Sequence, residues 1–579
     1  MGGLRRPCFV FFLVLVVGCS APPPREDLPA PQPPLPPERK AITIALPSDV
    51  NALVTGVDLV GRNALPSRYV HEFLNSYLTS LNGEGRVVPS LAAELPSLDN
   101  GTWKVLDDGR MEVTWKLRRG VVWHDGHELT ASDVRFGWEV YTNPATSLGA
   151  RSPVRATDQI EIIDPHTFVL RWMMTSQQGN ELGERELDVL PLHLLEETFL
   201  ADPAAFASHP FLTSPEDFVG SGPFRPTEWG RGTHLTAVAF DGYFMGRPLL
   251  DAVTFVFIVD PRNAATNVLS GAVDVAYQSL GVEETRFVQQ QWKSSGGGAV
   301  LLQPSNFRHL LPQLRTERAS PMELRTPGVR RALAHALDRE EMVEALGIDV
   351  DLIADSIAVP GTSVGDAVAK MVVRYRYDPA RALALLESDG WRRGADGRLG
   401  RDGRTFDLTL RSPGGDPEAV FPVMQRKYSE IGIALQFDPL VGQSPEDTAL
   451  FPGLIFAGLP VNSLSFANRW HSRQIAGPPN RYTGSNLHGY ANTATDRAIE
   501  QLEDALRPAE QQHFWAESWR LITEDAAVLP LYYYPSSYVV RKGLSGVLPH
   551  HPLGAPAYQV HLWDIDGVGV GRLTPVRSE

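Results

Sequence analysis

Alternating apolar and polar residues mark short strands at intervals along this chain. Residues 40–46 (KAITIAL) and 111–117 (MEVTWKL) both alternate. Successive side chains of a strand point to opposite faces, so each segment predicts a strand that is buried on one face. Residues 69–81 and 329–342 instead carry apolar side chains at helical spacing, which predicts two amphipathic helices. Strands and helices that alternate without an internal repeat indicate α/β lobes.

The richest local pattern lies in residues 117–136, with the sequence LRRGVVWHDGHELTASDVRF. Asp125 and Gly126 form a dipeptide that favours a two-residue hairpin turn, because such a turn requires positive φ angles and this pair tolerates them. Thr130 and Asp133 have the spacing of a capping box, so a helix is predicted to begin there. The segment therefore predicts a strand end, a hairpin and a helix start.

Histidines in and near this hairpin raise the question of a metal or acid/base site. His124, Asp125 and His127 lie together in the sequence, but the chemistry of the turn already accounts for Asp125. His193 follows a proline segment and His335 lies in the helix predicted over residues 329–342; each is interpreted as a lone structural histidine. No metal site is predicted.

The amino terminus has the order of parts of a secreted, lipid-anchored chain. Residues 1–18 combine two arginines with a short apolar stretch and are predicted to be a signal peptide. Cys19 ends a segment that resembles a bacterial lipobox and is predicted to be lipidated. Residues 19–39 comprise this cysteine and a proline-rich tether. The chain has 2 cysteines, and Cys8 would leave with the signal peptide, so neither a disulfide nor a cysteine metal site is expected.

Composition and charge narrow the classes of partner. The 579 residues are 43% hydrophobic and 21% charged, which is close to the average of globular proteins. After the amino terminus, no apolar run is long enough to cross a bilayer. The net charge of −15 is spread over isolated acidic residues, and no block of Lys and Arg is present. Nucleic acid is therefore not an expected partner.

As a whole, residues 117–136 resemble the signature of the solute-binding proteins of bacterial ABC transporters, family 5, which bind peptides or nickel. Residues 220–224 (GSGPF) and 329–342 resemble further segments of this family, in the family's order. With the lipobox, the chain is identified as a lipoprotein member. The resemblance implies a bilobal α/β fold of the periplasmic-binding-protein type II, or Venus flytrap, kind, with an additional small α+β accessory domain.

The resemblance also implies a division of the chain and a role. Lobe I would comprise residues 40–62, 187–285 and 528–579, the accessory domain residues 63–186, and lobe II residues 286–527. A monomer of this kind would capture a peptide or similar small solute between its lobes and deliver it to the permease and ATPase subunits of an ABC importer. It would have no cofactor and no enzymatic activity. Its location would be the cell envelope, periplasmic or surface-exposed, with a lipid anchor in a bacterial membrane.

Ligand contacts are predicted at positions near strand ends and at the turn that resembles the family's. The predicted residues are Gly220, Ser221, Asn306, Phe307, Arg411, Ser412, Asn462 and Trp470. Glycines let backbone amides approach a ligand, and the planar guanidinium of Arg411 could clamp a carboxylate. Many peptide-binding members carry, in the segment that includes Asn462, an aspartate that pairs with the ammonium group of the peptide. Because an aspartate is missing there, a blocked peptide, a sugar or another solute stays open beside a free-amine peptide.

Two other functions stay open at this point. Residues 361–365 (GTSVG) fit the G-x-S-x-G pattern, in which Ser363 would be the exposed nucleophile of a serine hydrolase. A lipid-anchored receptor or structural protein with no transport role is the other. Labelling of Ser363 by a fluorophosphonate would favour the hydrolase, and neighbouring genes for a permease and an ATPase would favour transport.

Overall fold

A computed structural model of the protein describes residues 40–55, 64–83, 85–146, 148, 154–412, 417–439, 444–461, 468–547 and 557–565. The chain divides into a unit Met1–Arg39 and a unit Lys40–Glu579, and every described residue belongs to the second unit. The predicted signal peptide, Cys19 and the tether lie outside the described residues, as does Asn462.

The described strands and helices alternate along the chain. The strands are β1 Ala41–Leu46, β2 Thr79–Leu81, β3 Val87–Pro89, β4 Trp103–Val105, β5 Met111–Lys116, β6 Thr157–Asp164, β7 Thr167–Trp172, β8 Phe224–Gly230, β9 His234–Ala239, β10 Ala252–Phe257, β11 Val275–Tyr277, β12 Gly298–Pro312, β13 Arg392–Arg393, β14 Leu399–Arg401, β15 Arg404–Thr405, β16 Asp407–Ser412, β17 Ala434–Pro439, β18 Leu454–Pro460, β19 Leu529–Arg541, β20 Leu544–Ser545 and β21 Asp564–Ile565. The predicted strands over residues 40–46 and 111–117 are thus confirmed as β1 and β5.

The helices are α1 Ala64–Leu74, α2 Ala131–Thr142, α3 Leu192–Ala201, α4 Pro261–Ser270, α5 Val282–Ser295, α6 Pro327–His335, α7 Arg339–Leu346, α8 Ser363–Ala369, α9 Pro379–Ser388, α10 Pro417–Glu430, α11 Pro445–Ala449, α12 Thr493–Asp504 and α13 Pro508–Glu524. Short 3₁₀ turns connect several of them. Within the part of the chain that the structure describes, none of these helices combines the length and apolar character that a membrane span needs.

A ten-stranded sheet is the largest sheet among the described residues. Its spatial order is β17-β16-β18-β12-β19-β11-β1-β10-β9-β8. Strand β1 pairs in parallel with β10 and β11, and β16 pairs in parallel with β17 and β18. Between these two parallel groups, β12 and β19 run antiparallel to each other. A separate four-stranded sheet has the order β4-β5-β7-β6.

Two large hydrophobic cores lie along the ten-stranded sheet, and β19 contributes to both. Leu531 and Tyr533 belong to the core built on α6, α7, α10 and α13, whereas Tyr538 and Val540 belong to the core built on α1, α2 and the four-stranded sheet. A smaller cluster on α4 and α5 includes Val539 and so covers the opposite face of the sheet. The predicted bilobal α/β class is confirmed. The residue boundaries of the lobes and of the accessory domain stay a prediction.

The predicted helix over residues 69–81 is wrong in its extent, because α1 stops at Leu74 and β2 follows. The turn that contains Ser221 and Gly222, distant in sequence, forms hydrogen bonds with the end of this helix. The Gly222 amide donates to Leu74 O at 3.0 Å, and the Ser76 amide donates to Ser221 Oγ at 3.1 Å. These groups satisfy the helix terminus in place of a further helical turn. No pattern within residues 69–81 indicates them.

The predicted helix over residues 329–342 is in fact two helices, α6 and α7. Asp338 is the N-cap of α7, and its carboxylate accepts a hydrogen bond from the Glu341 amide at 3.1 Å. An aspartate in this position satisfies an exposed amide donor and starts a new helix. At the end of α6, His335 Nδ1 donates to Arg376 O at 2.8 Å, which is consistent with its predicted structural role.

The predicted hairpin and helix start within residues 117–136 are both present. The Trp123 amide donates to His127 O at 2.8 Å, and the Gly126 amide donates to Trp123 O at 2.9 Å. These bonds enclose three loop residues, with Gly126 at a φ of 91°, so the prediction of a two-residue turn is wrong. The capping box of Thr130 and Asp133 is confirmed.

Candidate functional site

Strands β12 and β19 connect the two cores, and their pairing is weakened between them. Pro304 lies opposite Pro535, and the register shifts between Pro304 and Asn306. Proline has no amide hydrogen, and a shift of register interrupts the ladder of hydrogen bonds. The two connecting strands can therefore bend most easily at this point, which is where a hinge between two lobes would lie.

Next to this hinge, β12 presents a polar face. Phe307 points into a core and is buried, whereas Asn306 and Arg308 alternate to the other side and are half-buried. Gly458 of β18 lies opposite Arg308, and a β-carbon there would come within 2.0 Å of Arg308 Nη1. Arg308 Nη1 donates to Asn306 Oδ1 at 3.1 Å. The Cζ atom of Arg308 lies 5.5 Å from the centroid of the Tyr534 ring. Asn306, Arg308, Gly458 and Tyr534 form what we call the hinge face.

The hinge face carries the positive charge of Arg308, and the neighbouring His309 is uncharged. Burial lowers the pKa of His309 to about 3, and the charges of Arg308 and Arg469 act in the same direction, against a hydrogen bond to the Phe307 carbonyl. Burial also lowers the pKa of Arg469. His309 is therefore neutral near pH 7, and Arg308 contributes a positive charge to the hinge face. A carboxylate or another acceptor oxygen of a solute is the group that such a face attracts most strongly.

Gly220 and Ser221 lie at the end of α1, where they contact Leu74 and Ser76. Ser221 is buried, and its hydroxyl accepts the hydrogen bond from the Ser76 amide. A β-carbon at Gly220 would come within 2.2 Å of Leu74 O. Glycine is thus required at position 220 because the backbone of Leu74 passes so close. From the sequence, the same glycine is explained by the approach of a ligand. Ligand contact at Gly220 and Ser221 stays a prediction.

Phe307 and Trp470 are buried in the core that also contains Trp519. Phe307 is 0% exposed and stacks on His309 at a centroid distance of 4.6 Å. Trp470 is 1% exposed and meets Trp519 edge to face at 4.9 Å. In the described conformation both side chains pack against the protein, and their contact with a ligand stays a prediction.

Arg411 and Ser412 lie at the end of β16, and Arg411 already binds a carboxylate of the protein. Its Nε and Nη2 atoms donate to Asp438 Oδ2 at 2.9 and 2.6 Å. The guanidinium also lies over the Phe451 ring at 4.0 Å. Ser412 is 0% exposed. The clamp predicted for Arg411 therefore exists, but its partner is Asp438. Of the seven predicted contact residues that are described, Asn306 is the one on the hinge face.

The residues that sequence reasoning missed had weak signals. Arg308 is two residues from Asn306 in a strand, so the two side chains share a face, and that spacing was available. His193 and Asp125 come from distant segments, and their meeting, described below, had no sequence signal. Only the second of these pairs is brought together by the fold.

Ser363 does not have the surroundings of a nucleophile elbow. It is the first residue of α8, and the described segment before it has no strand leading into the turn. Gly365, the last glycine of the pattern, has no room for a side chain, because a β-carbon there would lie 1.8 Å from Val359 O. The Gly365 amide donates to Thr362 Oγ1 at 3.0 Å. The glycine pattern is explained by this helix start.

His124 ties the hairpin to the Gly220 turn. Its Nδ1 accepts from the Gly220 amide at 3.1 Å, and its Nε2 donates to Gly222 O at 3.0 Å. This arrangement needs a neutral imidazole, because a protonated Nδ1 would face an amide hydrogen. Burial lowers the pKa of His124 to about 4, despite the hydrogen bond to Gly222. Two segments that carry the family resemblance are therefore joined by one neutral histidine.

His124→Gln is expected to reduce the dependence of stability on acid pH. A histidine whose folded pKa is about 4, against 6.5 for the ordinary group, stabilises the fold fully above pH 6.5 and loses this contribution as pH falls toward 4. For the wild type this loss is on the order of 3 kcal/mol. Urea unfolding between neutral pH and about pH 4.5 should show a shallower decline for the variant. An identical decline in both proteins would contradict the assignment.

Comparisons with known proteins agree with the fold. Residues 86–461 match the sequence profile of the bacterial extracellular solute-binding proteins, family 5 (middle). The oligopeptide-binding protein AppA of Bacillus subtilis is 25% identical over 506 residues, which are 85% of this chain and 86% of AppA. Its crystal structure with a nonapeptide has a TM-score of 0.64 at 22% identity, covering 91% of this chain and 99% of that one. NikA of Brucella suis, in complex with Fe(III)-EDTA, has a TM-score of 0.69 at 19% identity, with coverage of 91% and 100%.

Proposed function

The chain belongs to family 5 of the bacterial extracellular solute-binding proteins, and from this premise we propose that its cargo is a peptide or similar small solute with a carboxylate. The protein binds this solute between its two lobes and delivers it to the permease and ATPase subunits of an ABC importer. The observation that carries the choice of cargo is the hinge face, where the half-buried Arg308 lies across β18 beside Asn306. Relatives named for oligopeptides support a peptide first.

The hinge supports capture by closure. Two strands connect the cores, and the Pro304 and Pro535 pair weakens their ladder. Bending there would bring the lobes together over a solute and remove it from water, which strengthens each polar contact. Arg308 would then share its donors between Asn306 and the solute.

The envelope location follows from the amino terminus and belongs to the same proposal. Residues 1–18 act as a signal peptide, Cys19 carries the lipid, and the tether through residue 39 holds the folded unit off a bacterial membrane. The protein acts as a monomer. The division into lobe I, lobe II and an accessory domain, with the boundaries predicted above, is part of this proposal. Mass spectrometry of the mature amino terminus tests the lipid, since a diacylated cysteine changes its mass.

The proposed role is binding without catalysis. The family is a solute-binding family. Ser363 lies at the start of α8, where the described chain lacks the strand that leads into a nucleophile elbow. A fluorophosphonate that labelled Ser363 in the purified protein would favour a hydrolase over this proposal.

Arg308→Gln is expected to weaken binding of a peptide by about 10-fold or more, because a hydrogen bond to a charged group contributes about 1.5–3 kcal/mol. A mixed peptide library screened by thermal shift identifies a binder, and isothermal titration measures its affinity for both proteins. Native mass spectrometry of the protein from its own host provides the natural cargo.

Arg411→Gln is the matched control, because Arg411 is already clamped to Asp438 on the other side of β18. It should bind the same peptide as well as the wild type does. Loss of binding in Arg411→Gln with full binding in Arg308→Gln would reverse the assignment and favour the original sequence prediction. Failure of any peptide or small solute to bind would contradict the transport proposal itself.

A further inference from the structure

Three potential metal ligands meet on the outside of the hairpin described above. Asp125 and His127 belong to the hairpin, and His193 is the second residue of α3. His193 Nε2 lies 2.7 Å from Asp125 Oδ2, and His127 Nδ1 lies 3.2 Å from the same oxygen. The two imidazole rings stack with centroids 4.0 Å apart. One candidate ligand atom from each residue lies within 4.8 Å of the others.

The carboxylate in this group is held in one orientation. Asp125 Oδ1 accepts the His127 amide at 3.1 Å, which turns Oδ2 toward the two rings. Hydrogen bonds of this kind to a ligating carboxylate fix its direction, as in known metal sites.

Both elements that supply the ligands are anchored to the same residue. The Leu192 amide, next to His193, donates to Asp133 Oδ1 at 3.0 Å. Asp133 Oδ2 accepts the Thr130 amide at 2.7 Å, and Thr130 directly follows the hairpin. The hairpin and the start of α3 are therefore held side by side by one buried carboxylate. The three ligand side chains do not depend on a flexible loop for their meeting.

The group is open on its outer side. The side chains of His127, Asp125 and His193 are 63%, 26% and 24% exposed. A tetrahedral Zn²⁺ with bonds of about 2.0–2.1 Å separates its ligand atoms by about 3.3 Å. The 3.2 Å between Asp125 and His127 already matches this value, and the 2.7 Å contact to His193 must open by about 0.6 Å as the ion replaces the shared proton. Water would complete the coordination.

We propose that Asp125, His127 and His193 bind one divalent transition-metal ion of the Zn²⁺ class at the protein surface. Imidazole nitrogens with one carboxylate oxygen are a ligand set for Zn²⁺, Ni²⁺ or Co²⁺ and are unsuited to Ca²⁺ or Mg²⁺, which prefer oxygen alone. The site is separate from the hinge face and from the cargo. The ion staples the hairpin to α3 and stabilises the folded state, because it binds that state and not the separated ligands of the unfolded chain.

Isothermal titration of the full chain with Zn²⁺, purified without a polyhistidine tag, tests this site. One ion per chain is expected, with a rise in melting temperature on addition of Zn²⁺. His127→Ala is expected to weaken Zn²⁺ binding by about 100-fold. Loss of a group that only supports a metal ligand already costs about 10- to 100-fold in affinity, and His127 is a proposed ligand itself. Because His127 is the most exposed of the three, this variant should keep the melting temperature of the metal-free wild type. Visible absorption of bound Co²⁺, lost in His127→Ala, reports the same ligands directly.

The matched control is His166→Ala. His166 Nε2 lies 3.0 Å from Glu128 Oε1, so it forms a histidine and carboxylate pair at the same hairpin, and the described residues do not bring a third ligand to it. This variant should bind Zn²⁺ as the wild type does. Wild-type protein that binds no Zn²⁺, or His127→Ala that binds it as tightly as wild type, would overturn the proposal.

Discussion

Arg68→Met is expected to lower the free energy of unfolding by about 3–5 kcal/mol near pH 7. The Arg68 side chain is 9% exposed, and its Nε donates to Glu184 Oε2. Arg68 Nη2 also lies 4.0 Å from Glu72 Oε1. Removing the guanidinium takes away the positive charge that both buried carboxyls contact. A charge left buried without its partner costs far more than the net stability of the intact pair.

The deficit of Arg68→Met should grow as the pH rises. Burial raises the pKa of Glu72 from 4.5 to about 8, although the charge of Arg68 opposes the shift. A carboxyl of this kind stabilises the fold fully below its unfolded pKa of 4.5, and this contribution is lost as pH rises through the folded value. Without Arg68 the folded pKa of Glu72 rises further, so the carboxyl is still harder to ionise. Urea unfolding should therefore show a larger deficit at about pH 9 than at about pH 5.

Two further variants separate this effect from the loss of any surface ion pair. Arg171→Met removes an arginine that pairs with Glu112 and Glu161 on the outer face of the four-stranded sheet, and it should change stability little. Adding Glu184→Leu to Arg68→Met should recover part of the loss, because apolar groups can replace a buried ion pair. Wild-type stability in Arg68→Met alone would contradict the assigned role.

Gly222→Ala is expected to cost about 3 kcal/mol, since the added methyl group has no space. Its β-carbon would lie 2.3 Å from the carbonyl carbon of Leu74 and 2.5 Å from the Asn75 amide nitrogen. These atoms are backbone at the end of α1, so they cannot move aside as a flexible side chain does. The Gly222 amide and carbonyl also bind Leu74 and His124. A shift at Gly222 would therefore loosen α1 and the hairpin together.

Gly328→Ala is the control for the loss of glycine as such. No atom lies within 4 Å of a β-carbon at Gly328, which is the second residue of α6. Alanine favours a helix over glycine by up to about 1 kcal/mol, so this variant should be as stable as the wild type or more stable. Thermal unfolding of both variants gives the comparison. Equal melting temperatures for Gly222→Ala and wild type would show that the turn can yield.

The elements predicted from the sequence were those that local spacing determines. Strands β1 and β5 follow from alternation, and the cap at Thr130 follows from its distance to Asp133. One failure came where another part of the chain intervened, and the other came from a cap that lies within the predicted helix. The end of α1 at Leu74 depends on Gly222, and the break before α7 depends on Asp338 acting as a cap where helical spacing continued.

The surroundings of the predicted site residues could not be read from the sequence, for a related reason. Alternation places Phe307 and Arg308 on opposite faces of β12, but it does not say which face packs and which meets a solute. The sequence prediction chose Asn306 and Phe307, and the second core buries Phe307. Arg411 was expected to clamp a carboxylate of the ligand, and it clamps Asp438.

By itself, the sequence determined the family, the α/β class and the local turns and caps of this protein. These depend on residue order and on spacing between near neighbours, which the chain carries in any conformation. Only the tertiary structure decided which residues from distant segments lie side by side and which side chains are buried. Gly458 opposite Arg308, and His193 beside Asp125 and His127, are products of strand pairing and packing between distant segments. Burial and proximity of this kind arise only when the cores form.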